Sequence, residues 1–285
     1  MKCIHLCSPA KLNLSLKVLG KRPDGYHNLS TLFEKINLCD DIYLTSTKIG
    51  KIRIACNHPA VPKGKKNLVF KAAQMLKNDF GIKGGVDIKI VKRIPVAAGL
   101  AGGSSNGATA LLGLNKVWNL GLTKNQLLGY AKRLGSDVPL FIHEYIFAHG
   151  TERGDALKEV KIARKFWYIL VTPSVKVYTK EVFRALKIRL TKKADNANIL
   201  TCALRKNNLK RVGQYLSNDL EAAIVHVHPQ LLKIKNNIKS ITGLEVCFSG
   251  SGPSLFALSE TQLQAKNAVR LLALKYKNVI VVRTL

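Results

Sequence analysis

Acidic residues are scarce in this chain of 285 residues: 17 Asp and Glu stand against 46 Lys and Arg, a formal charge of +29. Such a balance attracts anions, whether nucleic acid, anionic lipid or phosphorylated metabolites. The basic residues form neither a tail nor an arginine-rich helix but are spread over the whole chain. That distribution argues against a dedicated nucleic-acid footprint and for a generally basic surface. Also lacking is a cysteine signature. Cys3, Cys7, Cys39, Cys56, Cys202 and Cys247 include no C-x-x-C pair and no histidine at metal-ligand spacing, which argues against a zinc site and reads the thiols as reduced and mostly packed. The N-terminal residues have too short an apolar run for a secretory signal, so the expected address is cytoplasmic. No internal repeat or low-complexity segment is present. Formal charge is missing altogether from Ile94 to Asn115, long enough to span a bilayer if length alone decided. Pro95, Gly99, Gly102, Gly103, Ser104, Ser105, Asn106 and Gly107 exclude that, because lipid does not tolerate their unpaired backbone and polar groups.

What is present is a chain with 47% apolar residues, enough for two domains of ordinary size. Residues 11–18 alternate polar and apolar, the period of a half-buried strand, so Lys11 and Asn13 point the same way. A turn-rich stretch, 20–25, follows, with further strands expected at 41–47 and 51–56. Asn67 is expected to cap a helix over 67–78, and Val86, Ile88 and Ile90 mark another strand. Helical spacing resumes from Ser104 to Trp118, and Thr123 opens a helix to about Leu134. Residues 153–165 are charged and lose periodicity, a plausible domain boundary. Beyond it are expected a strand at 166–172, several helices between about 179 and 240, strands at 243–248 and 254–258, a helix at about 260–276 and a last strand at 278–283. Strands and helices that mix without strict alternation indicate an α+β fold, divided into 1–160 and 161–285.

The strongest chemical feature is the run Pro95, Val96, Ala97, Ala98, Gly99, Leu100, Ala101, Gly102, Gly103, Ser104 and Ser105, between a strand and a helix. Glycines let consecutive amides turn onto phosphate oxygens, and the helix N-terminus adds unpaired N–H groups and its positive dipole end. It is neither a P-loop nor a dinucleotide-binding turn, because the Gly-Lys-Ser/Thr ending and the acidic residue about twenty positions on are missing. Taken alone, the run could be a plain glycine-rich connection.

Two other segments change that reading. Ser8-Pro9-Ala10-Lys11-Leu12-Asn13-Leu14, the glycine run, and Phe248-Ser249-Gly250-Ser251-Gly252-Pro253-Ser254 occur in the order and spacing of the three motifs of the GHMP kinases, which the chain resembles over nearly its whole length. Gly25-Tyr26-His27 and Gly135-Ser136-Asp137-Val138-Pro139 resemble, within that superfamily, the diphosphocytidyl-methylerythritol kinases.

The resemblance implies an N-terminal domain like part of a small-subunit ribosomal protein and a ferredoxin-like C-terminal domain. It implies a kinase that uses ATP and Mg2+ to phosphorylate the 2-hydroxyl of a cytidine diphosphate ester of methylerythritol, a small-molecule substrate, in isoprenoid precursor synthesis. It also implies that the glycine run holds the nucleotide phosphates, that Asp137 is the catalytic base and that Lys11 is its partner. Asn13, Tyr26, His27, Phe33, Lys92, Thr179 and Phe183 correspond to substrate contacts, and Gly250, Ser251 and Gly252 to the closure of the substrate phosphate site. No metal ligand and no oligomeric state follows from the sequence. Read without the resemblance, Asp137 is a helix cap, Lys11 a solvated strand lysine and 249–252 a tight hairpin connection.

Two further readings stand beside this one: a GHMP kinase acting on another alcohol such as homoserine, against which Tyr26-His27 counts, and a basic RNA-binding protein, whose affinity would fall steeply with salt. The chain departs from the family pattern where Ala97, Ala98 and Ala101 replace glycines, which is expected to require negative φ at all three. It departs again where 150–155 lengthens a usual Gly-x-Gly-Glu turn.

Overall fold

The computed structural model describes residues 2–186 and 195–285, and the part of the expected helical region at 187–194 lies outside them. By contacts the chain divides into two compact units, with Met1–Ala10, Leu38–Val96 and Ala101–Glu144 in the first and Lys11–Asn37, Ala97–Leu100 and Tyr145–Leu285 in the second. The chain thus passes from one unit to the other inside two long strands, at both ends of a four-residue piece of the glycine run and between Glu144 and Tyr145. A single cut at 160 describes the order of the sequence but not this grouping of contacts.

Those long strands are β1 (Cys3–Lys21) and β2 (His27–Thr47). In the first unit, the end of β2 pairs antiparallel with β4 (Gly85–Val91), which pairs in parallel with β3 (Ile52–Cys56). Four helices belong here: α1 (Leu68–Asp79), α2 (Gly102–Val117), α3 (Lys124–Leu134) and the short α4 (Val138–Ile142). Both expected caps form. Asn67 accepts from the Val69 amide, and Thr123 builds a reciprocal box with Gln126, so orphan first-turn donors of α1 and α3 are satisfied by side chains. Leu44, Ile88, Leu76 and Leu111 are fully or almost fully buried, and burial of each such side chain is worth about 1.5–3 kcal/mol. Helix α2 lies so close to β2 that a Cβ on Gly113 would stand 2.6 Å from Leu44 Cδ1.

In the second unit, β2 pairs with β5 (Phe147–Thr151), and β5 turns back as a hairpin into β6 (Ala156–Glu159). The lengthened segment at 150–155 is the tip of this hairpin. A separate antiparallel sheet contains β7 (Trp167–Val171), β9 (Val246–Phe248), β10 (Leu255–Ser259) and β11 (Val279–Arg283). Its spatial order is β11-β7-β10-β9, the ferredoxin-like arrangement in which strands from two split β-α-β units interleave. The two-residue strand β8 (Ser217–Asn218) pairs in parallel with β1. The helices are α5 (Thr179–Ala185), α6 (Asn196–Arg205), α7 (Leu209–Tyr215), α8 (Glu221–Val227), α9 (Gln230–Thr242) and α10 (Gln262–Ala273). Ile169, Val171, Ile224, Leu231, Phe248, Leu255 and Leu272 form part of one buried cluster. Among the described residues, no helix is long and apolar enough to cross a membrane.

Candidate active site

Three sequence-distant segments meet in the second unit. Lys11 N donates to Leu100 O at 3.2 Å, and Ser254 N donates to Ala98 O at 3.3 Å. Ser249 Oγ donates to Gly99 O at 3.0 Å and accepts from Asn13 N at 3.4 Å. Gly99 has φ +74°, and a Cβ there would fall 2.1 Å from Ser249 O, so any larger residue would push the two segments apart. A Cβ on Gly250 would lie 3.2 Å from Lys11 Nζ and 3.3 Å from Asn13 Oδ1. The 249–252 loop does connect two paired strands, β9 and β10, as a simple hairpin reading expects. It is also held from outside by Asn218, whose Nδ2 reaches Phe248 O at 2.9 Å and Gly250 O at 2.7 Å.

On this floor Lys11 is 4% exposed and Asn13 2%. The Lys11 ammonium donates to Asn13 Oδ1 and stands 5.7 Å from the Phe33 ring centroid, within cation–π range. Asn13 Nδ2 is fixed by Thr31 Oγ1 at 2.8 Å. Phe33 itself is 2% exposed, and its ring edge packs against Gly150 and Gly154. Its position is therefore that of a support beneath Lys11.

The rim is different. A turn closed by Arg22 N to Tyr26 O at 2.8 Å leaves Tyr26 55% exposed. The Arg153 guanidinium, brought by the β5–β6 hairpin tip, lies 5.4 Å from the Tyr26 ring centroid and is held by Asp155 at 2.6 Å. His27 packs on Phe183 at 4.9 Å between centroids. Burial and the charge of Lys21 push the His27 pKa below its ordinary value, favouring a neutral imidazole that can both donate and accept. Thr179 is exposed, and its hydroxyl lies 2.8 Å from that of the buried Ser251.

In the first unit the glycine run enters α2. Its N-cap, Ala101, makes no side-chain capping bond, which leaves amides of the first turn and the positive dipole end for an anion. The expectation of negative φ at the three alanines fails at two of them: Ala97 has φ 53° and Ala101 φ 54°. The turn keeps a left-handed backbone despite the lost glycines, at a cost of roughly 1–2 kcal/mol per residue. Ser105 is the fully buried acceptor of a hydrogen bond from Ser8 Oγ at 2.8 Å, and Asn106 Nδ2 reaches Ser8 Oγ at 2.9 Å.

Lys92, expected at the substrate, is in a buried ion pair with Asp40 at 2.6 Å, and its side chain is 5% exposed. Burial lowers its pKa and Asp40 opposes that shift. A Cβ on Gly102 would lie 2.8 Å from Lys92 Nζ, so this ammonium stands against the first turn of α2. Asp40 also accepts from the amides of Arg93 at 2.7 Å and Ile94 at 2.8 Å, and from Asn106 Nδ2 at 2.8 Å. One carboxylate thereby ties the strand end before the glycine run to the helix after it. Asp137 precedes α4 in αR conformation and makes no side-chain capping bond, so its carboxylate is not the helix cap that an isolated reading gives it.

Sequence reasoning missed Asp40, Asn218 and Arg153. Asp40 lies one residue before the strand expected at 41–47, and only its partners reveal its role. Arg153 lies in the lengthened turn at 150–155, and its sequence spacing carries no sign of the Tyr26 ring it faces.

Models of known families match at two places, "GHMP kinases N terminal domain" over residues 67–145 and "GHMP kinases C terminal" over 202–278. The 4-diphosphocytidyl-2-C-methyl-D-erythritol kinase of Bacillus subtilis (strain 168) is 39% identical over 251 residues, 88% of this chain and 86% of the relative. The chain belongs to this kinase family. A second member, from Alkaliphilus metalliredigens, is 36% identical over 285 residues, 100% of this chain and 97% of that one. A crystal structure of a 4-(cytidine 5'-diphospho)-2C-methyl-D-erythritol kinase superposes with a TM-score of 0.82 at 29% identity, covering 98% of each chain. The two-domain GHMP kinase fold and the ATP-dependent small-molecule kinase class expected from the motifs are borne out.

Proposed function

We propose that the chain transfers the γ-phosphoryl of ATP to the 2-hydroxyl of 4-diphosphocytidyl-2-C-methyl-D-erythritol, a step in non-mevalonate isoprenoid precursor synthesis in the cytoplasm. The observation that carries this reading is the meeting of Lys11 and Asn13, Ala98 to Leu100 and Ser249 to Ser254 on one buried floor, in a chain 36–40% identical to kinases of that name. The nucleotide phosphates lie along Pro95 to Ser105, against the uncapped first turn of α2. Residues 1–160 and 161–285 serve as the N- and C-terminal kinase halves.

Phosphoryl transfer through a loose transition state asks the protein mainly to position groups and neutralise charge. Asp137 accepts the acceptor's hydroxyl proton. Lys11, fixed by Asn13 and Phe33, stabilises the negative charge that develops on the attacking oxygen. Tyr26 and Phe183 offer aromatic faces to the cytosine, and His27 reads its edge. Thr179 and the 250–252 backbone stand near the acceptor's phosphates. Mg2+ suits this donor set: it is a hard cation that takes oxygen ligands and keeps several waters, and the Ser104 hydroxyl can join the phosphate oxygens of ATP in holding it. Once bound it neutralises phosphate charge.

The test is a direct transfer assay with ATP and the cytidine substrate, the product followed by phosphorus NMR, beside homoserine and mevalonate. One new phosphomonoester on the methylerythritol unit, and none on the other alcohols, is expected. Transfer to homoserine at equal efficiency, or none to the cytidine substrate, overturns the assignment.

A further inference from the structure

The outer face of the first-unit sheet carries a group of donors outside the kinase machinery. His5 and Cys7 are two residues apart on β1 and so project to one face. Asp41 reaches the same face from the neighbouring strand β2. His5 Nε2 lies 3.0 Å from Asp41 Oδ1, Cys7 Sγ lies 3.9 Å from the same oxygen, and all three ligand atoms fall within 4.8 Å of one another. A tetrahedral zinc ion with bonds of about 2.0–2.3 Å needs ligand atoms roughly 3–4 Å apart, so small side-chain rotations bring the three together.

The surroundings also fit. His5 is stacked on Tyr43 with centroids 4.5 Å apart, which fixes the ring plane and aims Nε2 at the carboxylate. Arg93 holds Asp41 Oδ2 at 2.5 Å, orienting the carboxylate while Oδ1 faces the histidine and the thiol. Such outer partners are a regular part of metal sites. Both His5 and Cys7 are exposed, so an ion has a path in. Sequence spacing could not show this group, because its third member comes from another strand 34 residues beyond Cys7.

We propose that His5 Nε2, the Cys7 thiolate and Asp41 Oδ1 form a binding site for a borderline-soft divalent ion of the zinc class, with water completing the shell. Nitrogen, sulfur and one carboxylate oxygen select such an ion over magnesium or calcium. Binding displaces the thiol proton to solvent.

Cobalt(II) added to the full-length protein under a phosphine reductant provides the test. One ion per chain, with a thiolate-to-cobalt charge-transfer band and intense visible bands of tetrahedral type, is expected, and zinc should bleach both. Cys7→Ser should abolish the charge-transfer band, and His5→Gln should weaken affinity by about ten-fold or more. Cys39→Ser, which removes a neighbouring thiol, should leave the band in place. Far-ultraviolet dichroism checks that each variant is folded. Absence of the band in the wild-type protein, its persistence in Cys7→Ser, or its loss in Cys39→Ser overturns the site as assigned.

Discussion

Within the second unit, the floor and the rim are built on opposite plans. Lys11 and Asn13 are almost fully buried, and neighbours that hold them are themselves held: Phe33 by two glycines, Ser249 by Gly99, Gly250 by Asn218. Tyr26 is more than half exposed, set in a turn with the Arg153 guanidinium over its ring. A group that must meet developing charge gains from preorganisation, because no reorganisation is then needed at the moment of reaction. A group that chooses between acceptors can act through binding alone. On the proposed function, chemistry falls to the floor and selection to the rim.

The largest effect is expected at Asp137, the proposed base, which belongs to the first unit. Asp137→Asn should lower kcat by roughly two to four powers of ten while ATP affinity is retained; turnover within a few-fold of wild type would remove Asp137 from the chemistry. At the rim, Tyr26→Ala should raise KM for the cytidine substrate by about ten-fold, the equivalent of 1.4 kcal/mol and within the usual worth of a stacked base, with kcat little changed. A fall in kcat with constant KM would erase the distinction.

A smaller effect tests how deep the floor's support goes. Between Phe33 and Lys35 on β2, Glu34 is buried and accepts from the hydroxyls of Tyr168 and Thr284 at 2.5 and 2.6 Å, and burial raises its pKa to about 8. The folded protein therefore holds a proton that the unfolded chain releases near 4.5. Glu34's contribution to stability is fully present below that value and is lost as the pH rises through about 8. Urea unfolding across this window should show a decline that Glu34→Gln flattens. An unchanged slope would contradict it.

The smallest effect concerns the turn into α2. Ala101→Gly relieves a left-handed alanine but gains unfolded-state freedom, and the two terms nearly cancel at about 1 kcal/mol each. Stability by chemical denaturation should change by less than about 1 kcal/mol, whereas a Gly in the middle of α2 would only destabilise.

The comparison also shows what a sequence can reveal. Alternation from Lys11 to Val18 located the strand and put Lys11 and Asn13 on one side, and the caps at Asn67 and Thr123 formed because capping is local chemistry. The glycine run was legible as a strand-to-helix turn for the same reason. Lys92 was not legible as a buried partner of Asp40, since that pair joins residues 52 positions apart. The left-handed alanines are not legible because steric preference alone favours glycine there, while the surrounding bonds from Lys11, Ser249 and Ser254 hold the turn. The expected strand at 41–47 covers only the end of β2, which begins at His27, two positions after the turn residues end.

The most direct test of the division is the kinetics of Lys11→Met, a substitution of similar volume, on the cytidine substrate and its uridine analogue. The account predicts that kcat falls by roughly two to three powers of ten on both, while the cytidine-to-uridine ratio of kcat/KM stays at its wild-type value. A ratio that collapses with the lysine, or a kcat that survives its loss, would contradict it.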